Sequence, residues 1–195
     1  MAKHFNSGNV FGTVMGEIER KPSRGGKEFI SFEVNASGRR CGSVRAFCRM
    51  WGSDRFEDFL EALQENPRAQ FWFRGFFSHY WTDRNEIHAN YTIYEWHLRE
   101  GDPRAAFILK GEVSHAMPVK AGQRILLEVK REGQQVEKFE LISQAEKLLD
   151  VPQAGDLIEV KGYLRQEHPE DDFGGSSGAV RSFVEELRII EAAQA

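Results

Sequence analysis

The chain has few of the features that mark secreted, metal-bound or membrane proteins. Only two of its 195 residues are cysteines, Cys41 and Cys48, and they stand seven positions apart without a second pair. Neither a disulfide framework nor a zinc site is therefore expected. No apolar run approaches the length that crosses a membrane, and the opening MAKHFNSGNVFG is polar where a leader would be apolar. We expect a cytoplasmic protein with no membrane partner.

Sequence motifs for catalysis are lacking as well. GNVFG and SRGGK do not match the phosphate-cradling loop that ends in Lys-Ser/Thr, and no nucleophile elbow occurs. FGGSSG at 173–178 is typical of a linker, and the acidic HPEDDF at 168–173 is typical of a solvated hairpin tip. We expect no enzyme activity, no metal and no cofactor.

Charge and aromatic residues are unevenly divided along the chain. The net charge is −4, but residues 1–99 carry 14 Lys and Arg against 12 Asp and Glu, whereas residues 100–195 carry 12 against 18. Of the 23 Phe, Trp and Tyr residues, 18 precede residue 100. A function that uses rings and positive charge therefore belongs to the first half.

The densest aromatic run is QFWFRGFFSHYW at 70–81. A half-buried strand needs apolar residues at alternate positions only, because successive side chains point to opposite faces of the sheet. Here both faces carry rings, and the segment is too short and too polar for a membrane helix. The second aromatic face must therefore meet more protein or a ligand.

The two halves of the chain read as repeats of one fold. FGTV at 11–14 parallels KGEV at 110–113, FWFRGFFSHY at 71–80 parallels IEVKGYLRQE at 158–167, and IYEWHL at 93–98 parallels VEELRI at 184–189. The glycines of these segments fall in register. This parallel predicts the same order of elements in both halves.

In the first half we predict strands at 9–19, 28–36, 43–51, 69–79 and 90–98, with a loop at 80–89. The segment DRFEDFLEALQEN predicts a helix at 54–65, with Ser53 or Asp54 as its cap. The second half is predicted to place its helix at 143–150.

Five short strands with a helix between the third and fourth is the plan of the OB-fold, a partly open Greek-key barrel that binds oligonucleotides or oligosaccharides. The predicted fold class is mainly all-β, with two tandem five-stranded OB-fold barrels, each with a short helix between strands three and four. The expected domains are residues 1–100, aromatic and basic, and residues 104–195, acidic and serving for dimerisation or as an auxiliary.

Local residues carry a closer resemblance. RAFCRMWG at 45–52, followed by an amphipathic helix and a strand with Arg74-Gly75, resembles the bacterial single-stranded DNA-binding protein family. The start NVFGTVMGEIE and the closing YTIYEWHL are similar to that family's first and fifth strands, so the resemblance covers residues 8–98. It implies binding of single-stranded DNA in replication, recombination or repair.

The resemblance also implies an assembly. The tandem arrangement is similar to the variant of that family in which one chain carries two OB-folds and a dimer supplies four. A homodimer built through the second domain is therefore expected. The family's acidic tail with a hydrophobic tip has no counterpart in the closing FVEELRIIEAAQA, so recruitment of partner proteins through such a tail is not predicted.

The second repeat, which has fewer aromatic residues, shows which positions of the fold are apolar because they form the core. In IEVKGYLRQ the apolar Ile158, Val160 and Leu164 alternate with positions that face outward. Aligned on the glycine, Phe71, Phe73 and Phe77 form the corresponding core set. The outward positions of this strand then carry rings where the sister repeat keeps mostly charge. On the third strand, Ala46, Cys48 and Met50 are the predicted buried set.

Interleaved rings and arginines suit a single strand of nucleic acid, because bases stack on rings and cations follow the phosphates. A duplex hides its base faces and could not use the rings. The predicted nucleic-acid-binding residues on or beside strands are Arg45, Phe47, Arg49, Trp51, Trp72, Arg74, Phe76 and Trp81. Those in loops are Lys21, Arg24, Lys27, Arg39 and Arg40.

Structural roles compete with these assignments. Trp72 or Phe76 could pack against the other domain or a second subunit, and Arg49 or Arg74 could form a salt bridge. For the whole chain, the alternative is an assembly or adaptor protein whose aromatic face is a protein interface. Salt-sensitive affinity for oligonucleotides separates these functions, because only phosphate contacts release counterions. RNA is an alternative strand to DNA.

Overall fold

The computed structural model describes residues 4–38, 41–81, 87–120, 122–131, 133–144, 151–167 and 179–193, without the side chains of residues 80, 81 and 87. The first half contains β1 (Phe5–Pro22), β2 (Glu28–Asn35), β3 (Arg45–Trp51), α1 (Ser53–Glu65), β4 (Gln70–Trp81) and β5 (Ile87–Leu98). The second half contains β6 (Arg104–Val119), β7 (Gly122–Lys130), β8 (Val136–Gln144), β9 (Leu157–Gln166) and β10 (Val180–Glu191).

The predicted order of strands is confirmed, but several boundaries were wrong. β1 is much longer than the predicted 9–19, because its first part pairs with β6 and its last part continues a hairpin with β2. The predicted loop at 80–89 is shorter, since Tyr80 pairs with His88. Ser143 and Gln144 of the second predicted helix belong to β8, where they pair with Gln123 and Gly122. The rest of the second predicted helix, 145–150, lies outside the described residues.

The helix α1 forms where the sequence predicts it, because its apolar residues recur on one face. Phe56 and Phe59 are fully buried. The predicted cap was wrong: Gly52 occupies the cap position with φ of 94°, and no side chain caps the helix. No helix in the described ranges is long and apolar enough to cross a membrane.

In each half the strand pairing closes on itself. β1 pairs with β2, β2 with β3, β3 with β5 in parallel, β5 with β4, and β4 again with β1. The second half repeats this circuit in the order β6, β7, β8, β10, β9, again with one parallel pair. Identical pairing order supports the predicted repeat.

Two glycines occupy equivalent places in the strand pairing of the two halves. Gly75 pairs with Ile93 and Gly162 pairs with Val184, and each glycine lies beside a bulge in the partner strand. A Cβ at Gly75 would come within 2.1 Å of the Thr92 carbonyl oxygen, so a side chain does not fit there. The equivalent distance from Gly162 to the Phe183 carbonyl oxygen would be 2.4 Å. The same close approach of two backbones therefore explains both glycines.

The halves join through β1 and β6, which pair antiparallel about Gly8 and Phe107. Phe5 pairs with Lys110 and Phe11 pairs with Arg104. Because the alignment of FGTV with KGEV equates Phe11 with Lys110, these two pairs are equivalent under a local two-fold axis.

The junction is packed as well as hydrogen-bonded. The Phe77 ring stacks on the rings of Phe107 and Phe139, with centroid distances of 4.7 and 5.6 Å. One cluster of buried side chains runs through both halves. The halves therefore share a core.

Candidate nucleic-acid interface

The outward side chains of β2, β3, β4 and β5 form a continuous surface on the first half. On β3, Ala46, Cys48 and Met50 are buried, as predicted. On β4, Phe71, Phe73 and Phe77 are fully buried, again as predicted. We call the opposite side of these strands the aromatic face, which consists of Phe29, Arg45, Phe47, Arg49, Trp51, Trp72, Arg74, Phe76, His88, Tyr94 and His97.

The rings of the aromatic face lie in pairs across neighbouring strands. Phe29 packs on Trp51 with a centroid distance of 4.6 Å, and Trp72 stacks on His97 at 5.6 Å with an interplanar angle of 16°. Both pairs are direct cross-strand neighbours in the sheet. Such pairs hold each other's rotamers, so the rings are presented in fixed orientations.

Two further pairs complete the set. Phe76 meets Tyr94 at 5.3 Å and Phe47 meets His88 edge-on at 6.4 Å. Phe47 is 41% exposed, which is high for phenylalanine and leaves apolar surface open to a ligand, and Phe76 is 37% exposed. Phe29, His88 and His97 were not predicted to belong to the site. These residues are identified by the pairing register of neighbouring strands, which the amino-acid sequence alone does not reveal.

The arginines of the face differ in their surroundings. The Arg49 guanidinium lies 5.9 Å from the Phe29 ring centroid, and within the described residues no carboxylate forms a salt bridge with it. Arg45 faces Glu33 and Arg74 faces Glu95, both at 3.8 Å. These two pairs are exposed and contribute little, about 0–1 kcal/mol each, so a phosphate can replace the carboxylate. The salt-bridge alternative therefore applies to Arg74 and leaves Arg49 open.

A groove of about 540 Å³ lies between the β1–β2 hairpin and β3. This volume is within the usual range of ligand pockets. Phe47 and Arg49 of β3, Glu33 of β2, and Glu17 and Glu19 of β1 are among the residues that line it. The Lys21 ammonium beside Glu19 holds the pKa of that carboxyl below its usual value.

The predicted loop cations are only partly placed by the structure. Lys21 is paired with Glu19 at 2.5 Å, whereas Arg24 and Lys27 are exposed at the hairpin turn. The Lys27 amide donates to the Ser23 hydroxyl at 3.0 Å, which orders this turn. Arg39, Arg40 and the side chain of Trp81 lie outside the described residues.

At β8 and β10 the equivalent surface of the second half is filled by buried side chains. Because Thr92 pairs with Arg49 and its counterpart Phe183 pairs with Ile142, Ile142 stands where the first half has Arg49. Ile142 and Phe183 are both 1% exposed. Glu140 takes the place of Phe47 and lies between Arg124 and Arg181, at 3.7 and 3.4 Å. Among the described residues, the positions of Phe47 and Arg49 thus carry an open ring and an open arginine on the first half, and Glu140 and Ile142 on the second.

Buried groups with shifted pKa values lie away from the aromatic face. Burial raises the pKa of the Cys48 thiol and of the Tyr91 hydroxyl, and it lowers the pKa of the His79 imidazole to about 3. All three groups are neutral at pH 7, so none of them supplies charge to a ligand on the face.

Comparison with known proteins bears on the fold. No protein-family model and no curated protein matches the chain. The structure of the wild-type single-stranded DNA binding protein from Thermus aquaticus is similar, with a TM-score of 0.67 and 15% identity over 100% of this chain and 97% of that chain. A deletion variant of the same protein gives a TM-score of 0.69 and 15% identity over 100% and 98%. At this identity the likeness shows the fold: the chain is mostly β and folds as these proteins do.

Proposed function

We propose that the chain binds single-stranded DNA with little sequence preference, through the aromatic face of its first half. The observation that carries the proposal is the set of paired, half-open rings interleaved with arginines on β3 and β4. The fold shared with single-stranded DNA binding proteins of known structure supports it.

In this proposal bases stack on the open rings and cations follow the phosphates. Phe47, Trp51 and Trp72 are the stacking platforms, each worth about 1–3 kcal/mol per base. Arg49 meets the phosphates first, because no carboxylate competes for it in the described structure. Arg45 and Arg74 exchange Glu33 and Glu95 for phosphate. The hairpin cations Lys21, Arg24 and Lys27, together with Arg39, Arg40 and Trp81, extend the path.

The proposal includes the organisation of the chain. The two closed circuits of strands are tandem OB-fold barrels of residues 1–100 and 104–195, and the second is an auxiliary domain whose equivalent face is filled at Ile142 and Phe183. The protein acts in the cytoplasm in replication, recombination or repair. The local two-fold axis is already used between the halves, so a homodimer requires a different surface, which we place on the second domain.

A protein interface is the competing function of the aromatic face. One observation favours it at one residue: the Phe76 ring already lies against Arg131 of the second half. An adaptor of this kind binds its partner through apolar contacts, so it has no salt-sensitive affinity for oligonucleotides.

The test is the fluorescence anisotropy of a labelled homopolymeric oligonucleotide titrated with the protein at several salt concentrations. A duplex of equal length serves as the control. We expect tight binding of the single strand, with a logarithmic salt slope of about −0.7 for each phosphate neutralised, and much weaker binding of the duplex. Equal binding of both forms, or no binding at low salt, would contradict the proposal. A matched RNA oligonucleotide decides between the two kinds of strand.

A further inference from the structure

One arginine of the second half reaches the aromatic face. The Arg131 guanidinium carbon lies 4.3 Å from the centroid of the Phe76 ring, so the planar group covers one face of that ring. Tyr94 lies beside the same ring at 5.3 Å. Phe76 therefore has Arg131 over one ring face and Tyr94 beside it, although 37% of the residue stays exposed, whereas Phe47 meets His88 at an edge.

Arg131 is held in this position by a chain of polar contacts. Its Nε and Nη2 donate to the two carboxylate oxygens of Glu137, at 3.2 and 2.9 Å. The side-chain nitrogen of Asn6, Nδ2, donates to the same carboxylate at 3.1 Å. Asn6 is buried and also bonds both the amide and the carbonyl of Phe77, the residue next to Phe76. A forked, charge-assisted pair anchored in this way is well ordered.

The backbone beside Arg131 is anchored as well. The Lys130 amide donates to the His4 imidazole Nδ1 at 3.2 Å. Through Glu137 of β8 and Asn6 of β1, the guanidinium is held against both strands.

The charge of Arg131 is already compensated. Glu137 accepts hydrogen bonds from two nitrogens of Arg131, and the Arg131 side chain is only 20% exposed. A phosphate approaching here meets the Glu137 carboxylate as well as the guanidinium. Arg131 therefore blocks a stacking position more effectively than it attracts the strand.

We infer that Arg131 sets the edge of the strand-binding site, by occupying the face of the Phe76 ring on which a base would otherwise stack. This inference rests on the proposed function and adds a residue that limits how many nucleotides the face holds. The strand then runs along β3 and the Trp72 end of β4, and it stops short of the junction between the halves.

The variant Arg131→Ala tests the inference, because it removes a positive charge and yet is expected to tighten binding of DNA. Uncovering one stacking position outweighs the loss of one compensated charge, so affinity for a long homopolymeric oligonucleotide should rise about tenfold. The occupied site should lengthen by about one nucleotide. Anisotropy titration and the stoichiometry at saturation measure the two effects.

Lys138→Ala is the matched control. Lys138 lies on β8 of the same half, is exposed, and pairs with Glu128. It removes the same charge without touching Phe76, so binding should be unchanged or slightly weaker. In the double variant Arg131→Ala with Phe76→Ala the gain should disappear, because the uncovered ring is then absent.

The outcomes separate this inference from the function on which it rests. Binding by the unaltered chain, together with unchanged or weaker binding by Arg131→Ala, would overturn the inference and leave the proposed function standing. Tighter binding that persists without the Phe76 ring would also overturn it. Absence of binding by the unaltered chain and by every variant would overturn both.

Discussion

Trp51 is the residue at which stacking is most directly testable. Its ring is half exposed at the end of β3 and is oriented by Phe29. If a base stacks on it, Trp51→Ala should weaken binding of single-stranded DNA about tenfold, the value of a single stack. The control is Trp96→Phe, since Trp96 packs against Phe59 and Phe71 of the core. An oligonucleotide affinity equal in Trp51→Ala and the unaltered chain would remove Trp51 from the site.

His79 makes stability depend on pH at the junction. Its Nδ1 accepts from the Glu140 amide at 3.2 Å and its Nε2 lies 2.8 Å from the Ser182 hydroxyl, so the ring is neutral with its proton on Nε2. Burial lowers its pKa to about 3 in the folded chain, against about 6.5 when unfolded. Below pH 6.5 the unfolded chain therefore binds the extra proton, and stability falls with falling pH.

The effect of this histidine should amount to about 2 kcal/mol in the free energy of unfolding between pH 7.5 and pH 5. Urea unfolding at the two pH values measures it. In His79→Asn, which keeps an acceptor near Nδ1 and does not titrate, the difference between the two pH values should shrink by that amount. An identical pH dependence in both proteins would show that His79 does not contribute.

At the residue scale, the sequence predicted which side chains of a strand are buried and which face outward. It did not predict which residues of neighbouring strands they contact. Comparison with the second repeat separated Phe71 and Phe73 from Trp72 because strand alternation is local. Phe29 could not be assigned from sequence, since its role depends on which residue of β3 lies opposite. Arg131 could not be assigned either, because it reaches Phe76 across the junction from the other half.

The hairpin of β1 and β2 is the element whose turn presents positive charge to the proposed single-stranded DNA. Its turn exposes Arg24 and Lys27, and the same two strands carry Glu19 and Ser31 of the groove. Replacing both with alanine should lower affinity at low salt and reduce the logarithmic salt slope by about 1.4, since single strands release about 0.7 counterion per neutralised phosphate. Lys138→Ala, far from the hairpin on the second half, is the control. A slope unchanged in the double variant would place the hairpin outside the site.

At the element scale, the sequence predicted the order of the strands and the helix better than the residues at which they begin and end. Turn residues and alternation located β2 and β3 within two residues of their observed bounds. The start of β1 was missed because its first residues are stabilised by pairing with β6 in the other half. The helix cap was missed because Gly52 takes a positive φ there, which makes the following Ser53 the first helical residue.

At the scale of the whole molecule, the halves should not be independent. Phe77 is fully buried against Phe107 and Phe139 of the second half, and β1 offers β6 an edge that is symmetric about Gly8. Residues 1–100 expressed alone would expose both features. We expect them to self-associate through β1 and to unfold at lower urea concentration than the full chain.

Light scattering and urea unfolding of residues 1–100 measure these two properties. A folded monomer as stable as the full chain would contradict the account of a shared core. The equivalent places of Gly75 and Gly162 in the two halves were predictable, because close backbone approach leaves a sequence signal. The shared core was not, since buried rings look alike whether they pack within a half or between halves.

The most direct test of strand binding by the aromatic face is intrinsic tryptophan fluorescence during titration with a homopolymeric single-stranded oligonucleotide. Trp51 and Trp72 lie on the face, so stacked bases should quench their emission. We predict strong quenching at low salt that weakens as salt is raised, is absent with a duplex, and is largely lost when both tryptophans are replaced by phenylalanine. Emission that does not change with the single strand at any salt concentration would contradict the account.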